Sequence, residues 1–459
     1  MTVTVYHGDC MDVLPTLAAG SVQCCVTSPP YFGLRAYPHA PTAWPEIAFV
    51  PVAGLPALTV PAQVCHLGAE ADPWAYVAHL VHAFRAVRRV LRDDGTLWLN
   101  LGDSYASDSK WGGASGGIQI GSGPEKVPRL RRQTGLGDKQ QLLIPSRVAL
   151  ALQADGWWLR TDVIWEKPNA MPESVTDRPT RSYEHILVFA RRARYYYDAE
   201  AIAEPAAVGH RGSRFSTGKT RVAREQTGAA VGQRDREDRA TRNARDVWKI
   251  STRSYPGAHF AVFPEELPER CILAGTPPQA CNHCGAPWRR LVARCAPDPL
   301  RPQARRARDI WTQAGLTEAH LHAVRAVGLA DAGKAQQTMR GAGANTPEVQ
   351  RLAAEAKAAL GGYYREFLSG PCQTVAWQPT CACPDNTGTG RSLVLDPFGG
   401  SGTTGAAAAR LGRDTILIEA AADYLPLIAQ RTDQRPIPRR PPPPPPRRGG
   451  HPTEEEPCR

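Results

Sequence analysis

Apolar and polar positions alternate in short blocks along the first part of this 459-residue chain. Thr2–Tyr6 alternates with the period of a strand, and Met11–Leu17 follows with helical spacing. Val22–Thr27 (Val-Gln-Cys-Cys-Val-Thr) reads as a second, more apolar strand. Residues 34–70 are Pro- and Ala-rich and read as loop. A helix then opens at Asp72-Pro73. Asp suits the N-cap, Pro suits the first turn, and Val77, Leu80, Val81, Phe84, Val87 and Leu91 recur at helical spacing. Gly95 ends this helix, and Thr96–Leu101 predicts a strand. Residues 105–139 are Gly- and Ser-rich, with Arg129, Arg131 and Arg132, and read as a mobile loop that orders on substrate. Pro145–Ala154 predicts a helix, Gly156–Ile164 and Glu184–Phe189 predict strands, and Arg194–Tyr197 an aromatic edge. Strand and helix alternating over 1–200 argue for an α/β fold with a largely parallel sheet and helices on both faces.

The alternation returns near the C-terminus. Ser392–Asp396 reads as a short buried strand, followed by glycines at 399, 400 and 402. An Ala-rich helix runs from Thr403 to Leu411 and is closed by Gly412. Asp414–Glu419 is the next strand, ending in an acid 23 residues after Asp396. A strand, a Gly-rich turn and a helix start make a cradle of nucleotide size. Glycines let the backbone approach a ligand, and the first N–H groups of the helix face it. A carboxylate ending the following strand is placed to take ribose hydroxyls. An ordinary strand–turn–helix has the same outline, so the glycines alone do not distinguish the two.

Between these regions the pattern breaks. Residues 209–246 hold ten Lys and Arg against five acids and one aromatic, Phe215. Such a segment builds no core; it is a solvated linker or a segment that folds on a partner. Residues 248–273 return to ordered composition. Residues 296–370 read as an Ala/Arg-rich helical insertion with Gly breaks. The tail from Pro436 holds six consecutive prolines flanked by Arg pairs and reads as extended or disordered. The formal charge of +11 points to a polyanionic partner, nucleic acid above all, although part of it lies in this tail. No apolar run approaches the ~20 residues that span a bilayer. The start lacks the basic-then-apolar pattern of a secretory signal. The expectation is a cytoplasmic protein with no membrane partner.

Twelve cysteines in a chain of this length do not resemble a disulfide scaffold. Cys281-Asn-His-Cys284 and Cys381-Ala-Cys383 are close pairs far apart in sequence, able to close a four-thiolate zinc site, with Gly285 giving the first pair its knuckle form. The zinc would be structural, stapling the 296–370 insertion at its base, with His283 and Cys372 as substitute ligands. Buried free thiols are the alternative. Cys24 and Cys25 read as core.

Thr27-Ser28-Pro29-Pro30-Tyr31 follows a buried strand, where an open α/β sheet places its ligand chemistry. Two prolines fix the backbone and remove N–H donors, which leaves the Pro29 carbonyl as an outward acceptor. The Ser28 hydroxyl is a second acceptor. Two acceptors holding both hydrogens of an exocyclic amine pull its lone pair out of conjugation and aim it at an electrophilic methyl. Tyr31 can stack on a base lifted from the duplex. A Pro-rich turn with a core Tyr is the plain alternative.

Ser-Pro-Pro-Tyr together with Asp-Pro-Phe-Gly-Gly-Ser-Gly-Thr-Thr at 396–404 resembles the amino-DNA methyltransferases that use S-adenosylmethionine. The catalytic motif precedes the cofactor motif, as in the β arrangement of that family. His7-Gly8-Asp9-Cys10 resembles the short motif whose acid contacts the cofactor adenine. Trp165-Glu-Lys-Pro-Asn169 and Tyr183-Glu-His-Ile-Leu187 resemble motifs lining the target pocket, and His259-Phe-Ala-Val-Phe-Pro264 the motif that packs on the methionine end of the cofactor. Similar Cys pairs occur between the last two motifs in some members. Pro371-Cys372-Gln373 mimics the nucleophile motif of cytosine-C5 methyltransferases but lies outside any expected strand end, and it reads as chance.

The resemblance implies a Rossmann-like fold with a mixed seven-stranded sheet. It implies catalytic roles for Ser28, Pro29, Pro30 and Tyr31. Cofactor contacts would come from Asp9, Cys10, Phe263, Asp396, Pro397, Phe398, Gly399, Gly400, Ser401, Gly402, Thr403 and Glu419. Lys167, Asn169, Arg211, Arg214, Lys219 and Arg221 would meet double-stranded DNA, and Cys281, Cys284, Cys381 and Cys383 would hold zinc. The expected layout is a catalytic half at 1–198, a basic target-recognition segment at 199–247 and a cofactor-side motif at 248–280. A zinc-bounded region at 281–385, a cofactor half at 386–435 and the tail at 436–459 complete it. Ser in the catalytic motif is similar to the cytosine-N4 enzymes, whereas members with Asp there tend to be adenine-N6 enzymes, and Ser forms acting on adenine exist. The source expected is prokaryotic or phage, with a cognate restriction endonuclease as a possible partner. RNA or protein glutamine methylation is disfavoured by motif order. A catalytically dead zinc-dependent nucleic-acid binding protein is disfavoured because Ser28, Pro29, Tyr31, Asp396 and Glu419 are all present.

Overall fold

The computed structural model describes residues 1–33, 39–106, 134–205, 241–253, 263–294, 302–327, 346–367 and 372–432. They fall into two units. Residues 1–197, 246–278 and those from 390 onward form the first, and residues 198–245 with 279–389 form the second. Arg211, Arg214, Lys219 and Arg221, most of the Gly/Ser-rich stretch and the Pro-rich tail lie outside the described residues.

The chain starts the first unit with β1 (Val3–His7), α1 (Cys10–Val13) and β2 (Val22–Thr27). Four short strands follow: β3 (Thr42–Trp44), β4 (Ile47–Phe49), β5 (Leu58–Val60) and β6 (Gln63–Cys65). Then come α2 (Pro73–Val90), β7 (Leu91–Leu101), α3 (Ile144–Ala154), β8 (Trp158–Glu166) and β9 (Tyr183–Ala190). The second unit receives β10 (Glu204–Pro205) and β11 (Thr241–Arg242), and the first takes back β12 (Val247–Lys249) and α4 (Glu266–Gly275). The second unit then holds β13 (Arg289–Arg294), α5 (Pro302–Gln313), α6 (Glu318–Val327), α7 (Pro347–Leu360) and β14 (Cys372–Gln378). The first unit closes with β15 (Leu393–Asp396), α8 (Thr403–Arg410), β16 (Asp414–Glu419) and α9 (Leu425–Thr432).

The main sheet has the order β1-β16-β15-β2-β7-β9-β8-β12. Seven of these strands are the mixed sheet expected, and β12 adds an eighth by pairing in parallel with β8. β9 runs antiparallel to both neighbours, and the remaining pairings are parallel. Residues 167–182 between β8 and β9 contain no helix, and a strand that returns without a crossover helix pairs antiparallel. Helices cover both faces. Cys25, Leu97, Leu99, Leu187, Phe189 and Leu395 share one core with the apolar stripes of α2 and α3. On the other face α4 comes so close that a Cβ on Gly275 would stand 2.7 Å from Cys24 Sγ and 2.8 Å from Thr96 Oγ1.

Two expectations change. The stretch expected as loop over 34–70 contains antiparallel ladders β3–β6 and β4–β5. Each strand has three residues, too few for a period to show, yet Trp44, Ile47, Phe49 and Val60 are buried in the α2 core. Gly95 does not end the helix. The helix stops at Val90, Leu91 opens β7, and Gly95 lies inside that strand, where a Cβ would press on the Arg92 and Gln23 carbonyls. The N-cap is as expected: the Asp72 carboxylate accepts from Trp74 N–H at 3.0 Å.

In the second unit β13 pairs antiparallel with β14. Pro371-Cys372-Gln373, expected outside any strand end, meets β14 at its start, Cys372. Helices α5, α6 and α7 pack around Ala307, Val324, Ala356, Leu360 and Phe367. Among the described residues no helix is long and apolar enough to cross a membrane.

Candidate active site at the carboxyl ends of the central strands

β2 and β15 are adjacent and parallel, with Cys24 opposite Val394 and Cys25 opposite Leu395. The chain leaves β2 toward β7 on one side, and leaves β15 through α8 toward β16 on the other. Strand order therefore reverses between them, and such a switch point opens a crevice beyond the carboxyl ends of the strands. Ser28 follows β2 and the glycine turn follows β15, so both motifs face that crevice.

On the β15 side the turn is shaped by backbone. Gly399 N–H donates to the Ile418 carbonyl at 2.8 Å, and Gly402 N–H to the Gly399 carbonyl at 2.8 Å. Gly400 and Gly402 have φ of 51° and 80°, a left-handed region that side chains disfavour. A Cβ on Gly402 would also stand 3.2 Å from Ile428. The Glu419 carboxylate accepts from Gly400 N–H at 2.7 Å and from Ala421 N–H at 2.7 Å. Burial pushes its pKa up to about 7. His7 pairs with Glu419, which carries Asp9 to the same rim. The Asp9 carboxylate caps α1 through Met11 N–H and accepts from the Thr42 hydroxyl. The Cys10 thiol is buried, and burial raises its pKa. Arg431 donates to Ser401 Oγ at 2.8 Å and Thr403 Oγ1 at 2.6 Å, and also meets Glu265. Glu265 pairs with Arg410 of α8 at 2.6 Å, which ties the half-buried Phe263 segment to the cofactor-loop helix.

Asp396 has a different place from the ligand contact expected of it. Its side chain is buried, and both carboxylate oxygens are engaged inside the protein. Thr27 Oγ1 donates to one at 2.6 Å, Thr404 Oγ1 to the other at 2.7 Å, and Phe398 N–H to the first at 3.1 Å. Burial outweighs these donors and lifts its pKa to about 7. Asp396 thus buckles the end of β2, one residue before Ser28, to the first turn of α8.

On the β2 side the turn is held by side chains from distant strands. Ser28 Oγ donates to Tyr31 Oη at 3.2 Å, and Tyr31 Oη donates to Glu184 Oε2 at 2.8 Å. Asn100 Nδ2 donates to the same Glu184 oxygen at 2.8 Å, and it also meets Tyr31 Oη and, at 3.5 Å, Ser28 Oγ. Lys167 pairs with the other Glu184 oxygen and lies 4.5 Å from the Trp165 ring centroid. Burial and the Glu184 charge push the Tyr31 phenol up. Its ring rests on Gly102, where a Cβ would stand 2.7 Å away. Asn169, expected to meet DNA, has both polar atoms on the Thr252 backbone, at 3.0 and 2.8 Å. It braces the segment after β12.

Asn100 and Arg431 were not singled out from sequence, and Thr27, Thr404 and Glu184 entered only as members of their motifs, with no role of their own. A signal existed for Asn100, a polar residue near the end of the apolar run Leu97-Trp-Leu-Asn-Leu101. Arg431 offered none.

In the second unit the Sγ atoms of Cys281, Cys284, Cys381 and Cys383 lie within 4.8 Å of one another. Cys281 Sγ accepts from His283 N–H at 3.4 Å, and Cys381 Sγ accepts from Asn386 Nδ2 at 3.3 Å. Gly285 takes φ of 66° and donates its N–H to the Cys281 carbonyl, which closes the knuckle.

Comparison with known proteins gives the same picture. The chain is 38% identical over 277 residues to the Type II methyltransferase M.Cfr9I of Citrobacter freundii, covering 60% of this chain and 73% of that one. It is 39% identical over 273 residues to M.SmaI of Serratia marcescens, covering 59% and 74%. Among solved structures, PvuII DNA methyltransferase (cytosine-N4-specific) aligns with a TM-score of 0.43 at 14% identity, over 94% of this chain and 86% of that one. The N6_N4_Mtase family, described as DNA methylase, matches residues 22–281 and 385–430, which include the Ser28 turn and the 396–404 loop. With both motifs inside the matched stretches and at adjoining strand ends, the chain belongs to this family, the amino-DNA methyltransferases.

Proposed function

We propose that the protein is a site-specific methyltransferase that moves a methyl group from S-adenosylmethionine to the N4 amine of a cytosine flipped out of duplex DNA. The observation that carries this reading is the buckle at Asp396. It joins the turn that would hold the amine to the loop that would hold the cofactor.

The residues present suit the cofactor. Left-handed Gly400 and Gly402 shape a tight turn at the start of α8, and Glu419, which accepts from Gly400 N–H, has further acceptor lone pairs for ribose hydroxyls. Bound S-adenosylmethionine supplies an electrophilic sulfonium methyl. Ser28 Oγ and the Pro29 carbonyl accept the two N4 hydrogens, so the nitrogen lone pair turns toward that methyl. As the amine gains positive charge these hydrogen bonds strengthen, and Glu184 balances the charge through Tyr31. Methyl transfer would join the amine nitrogen to the methyl as the C–S bond breaks, with S-adenosylhomocysteine as leaving group and the extra amine proton lost to water, so no covalent enzyme–base adduct is required. Ser at position 28 favours cytosine through the family resemblance. Nucleoside mass spectrometry of DNA treated with the purified protein should show N4-methylcytosine; N6-methyladenine alone would reassign the base.

The four thiolates suit a structural zinc, since four-thiolate sets with N–H···S support are of the knuckle type. Cys381→Ser should lower zinc content by elemental analysis and the melting temperature together. Unchanged zinc content would remove the metal from this reading. The basic segment at 199–247, with the second unit, would supply DNA recognition. The Type II names of the relatives support a restriction endonuclease of the same site specificity as partner.

A further inference from the structure

Near the catalytic turn, but outside the network around Ser28, lies a buried, hydrogen-bonded Glu–His pair. Glu70 and His79 are 2% and 0% exposed, and Glu70 Oε1 meets His79 Nδ1 at 2.7 Å. The other Glu70 oxygen accepts from Gly68 N–H at 2.7 Å. Trp44 stacks flat on the His79 ring at 4.2 Å, and Gln63 Nε2 meets its far nitrogen at 3.1 Å. Burying a carboxylate–imidazole pair is costly, and an apolar pair would fill the same space. This pair therefore calls for a purpose beyond filling space.

Cys65 Sγ comes within 4.8 Å of both side chains, which makes a three-ligand metal site worth weighing. Two ligand atoms each about 2.0 Å from one tetrahedral zinc would lie roughly 3.3 Å apart. The Glu70–His79 separation of 2.7 Å is that of a hydrogen bond instead.

Gly68 shows where the pair acts. It has φ of +87°, and a Cβ there would stand 2.7 Å from the Tyr31 carbonyl oxygen and 3.3 Å from that of Pro30. Its own carbonyl accepts from Gly33 N–H at 2.7 Å. The backbone of 30–33 thus lies directly on Gly68. Helix α2 reaches this backbone twice from one face. Tyr76 donates to the Pro30 carbonyl at 2.8 Å, and His79, three residues on, holds Glu70.

We propose that Glu70 and His79 are positioning residues that seat the catalytic turn, with Gly68 as the backbone plate between them and Pro30-Tyr31. The inference rests on the reading of Ser28–Tyr31 as the amine-holding turn. A displaced turn slows methyl transfer without altering the cofactor cradle, which is built on other strands. Glu70→Ala should lower kcat about 10- to 100-fold, the scale of a misplaced reacting group. S-adenosylmethionine affinity, by calorimetry, should stay within about twofold, and Glu70→Gln, which keeps an acceptor for Gly68 N–H, should recover most of the loss. Gly68→Ala, which pushes on the Tyr31 carbonyl and leaves the Glu70–His79 hydrogen bond intact, should reproduce the loss. It decides the matter if Glu70→Ala does not fold. A normal kcat in the folded variants, or equal falls in kcat and cofactor affinity, would overturn the proposal. Ser28→Ala serves as the reference. If it keeps full kcat, the reading of the turn fails; if it is inactive while the Glu70 and Gly68 variants are normal, only the positioning role fails.

Discussion

The glycine loop proposed to hold the cofactor and the turn proposed to hold the amine follow adjacent strands, yet they are held by different means. The loop at 396–404 is shaped by its own glycines and by backbone bonds to Ile418 and to the Glu419 side chain. The turn at 28–31 is held by side chains from four other places: Asn100 on β7, Glu184 on β9, Tyr76 on α2, and Glu70 through Gly68. A loop defined by φ values and backbone amides is rigid wherever its strands pair. A turn held by distant side chains is only as well placed as the network around it. Asp396 links the two, because its carboxylate takes donors from Thr27 beside the turn and from Thr404 and Phe398 in the loop.

The largest effect expected comes from breaking the turn alone. Glu184→Ala removes the acceptor shared by Tyr31 and Asn100 and leaves Lys167 without its partner. It should lower kcat by roughly 100- to 1,000-fold with cofactor affinity nearly unchanged, by steady-state kinetics and calorimetry. A parallel loss of affinity would mean that the two regions are not held separately. Breaking the loop alone should do the reverse. Gly402→Ala forces a side chain into φ of 80° and against Ile428. Strain of about 1–3 kcal/mol corresponds to cofactor binding weaker by about 5- to 150-fold. At saturating cofactor kcat should recover, and a persistent deficit would contradict the division.

The smallest effect tests the link. The folded pKa of Asp396, about 7, lies above its ordinary value of 3.8, so the folded chain holds this proton more tightly than the unfolded chain. Stability from this group is complete below about pH 4 and is lost as pH rises through about 7. The cofactor-free protein should therefore lose stability between about pH 4 and about pH 7 relative to Asp396→Asn, by at most a few kcal/mol. Melting curves of both proteins across that range test it. Parallel curves would show that the buckle carries no such proton.

Several features were legible because they are local. The N-cap at Asp72, the glycines of 399–402 and the strand ends at Thr27 and Glu419 follow from neighbours in sequence. The knuckle at Cys281–Cys284 was legible for the same reason. The ladders within 42–65 were not, since three-residue strands have no readable period and Trp44 or Phe49 shows as core only against α2. Asn169 was expected to meet DNA because its motif resembles one lining the target pocket, and the fold places both of its polar atoms on the Thr252 backbone.

By itself, the sequence determined the family, the α/β alternation, the order of the two motifs and the residues able to form the cradle. Each of these depends on residue type and short spacing. Only the tertiary structure decided that Asp396 faces Thr27 and Thr404, that Glu184 and Asn100 meet at Tyr31, and that Glu70 and His79 stand behind Gly68. These contacts join residues up to 369 positions apart. Strand order and helix packing bring such residues within hydrogen-bond reach, and no local pattern encodes which buried donor will meet which acceptor.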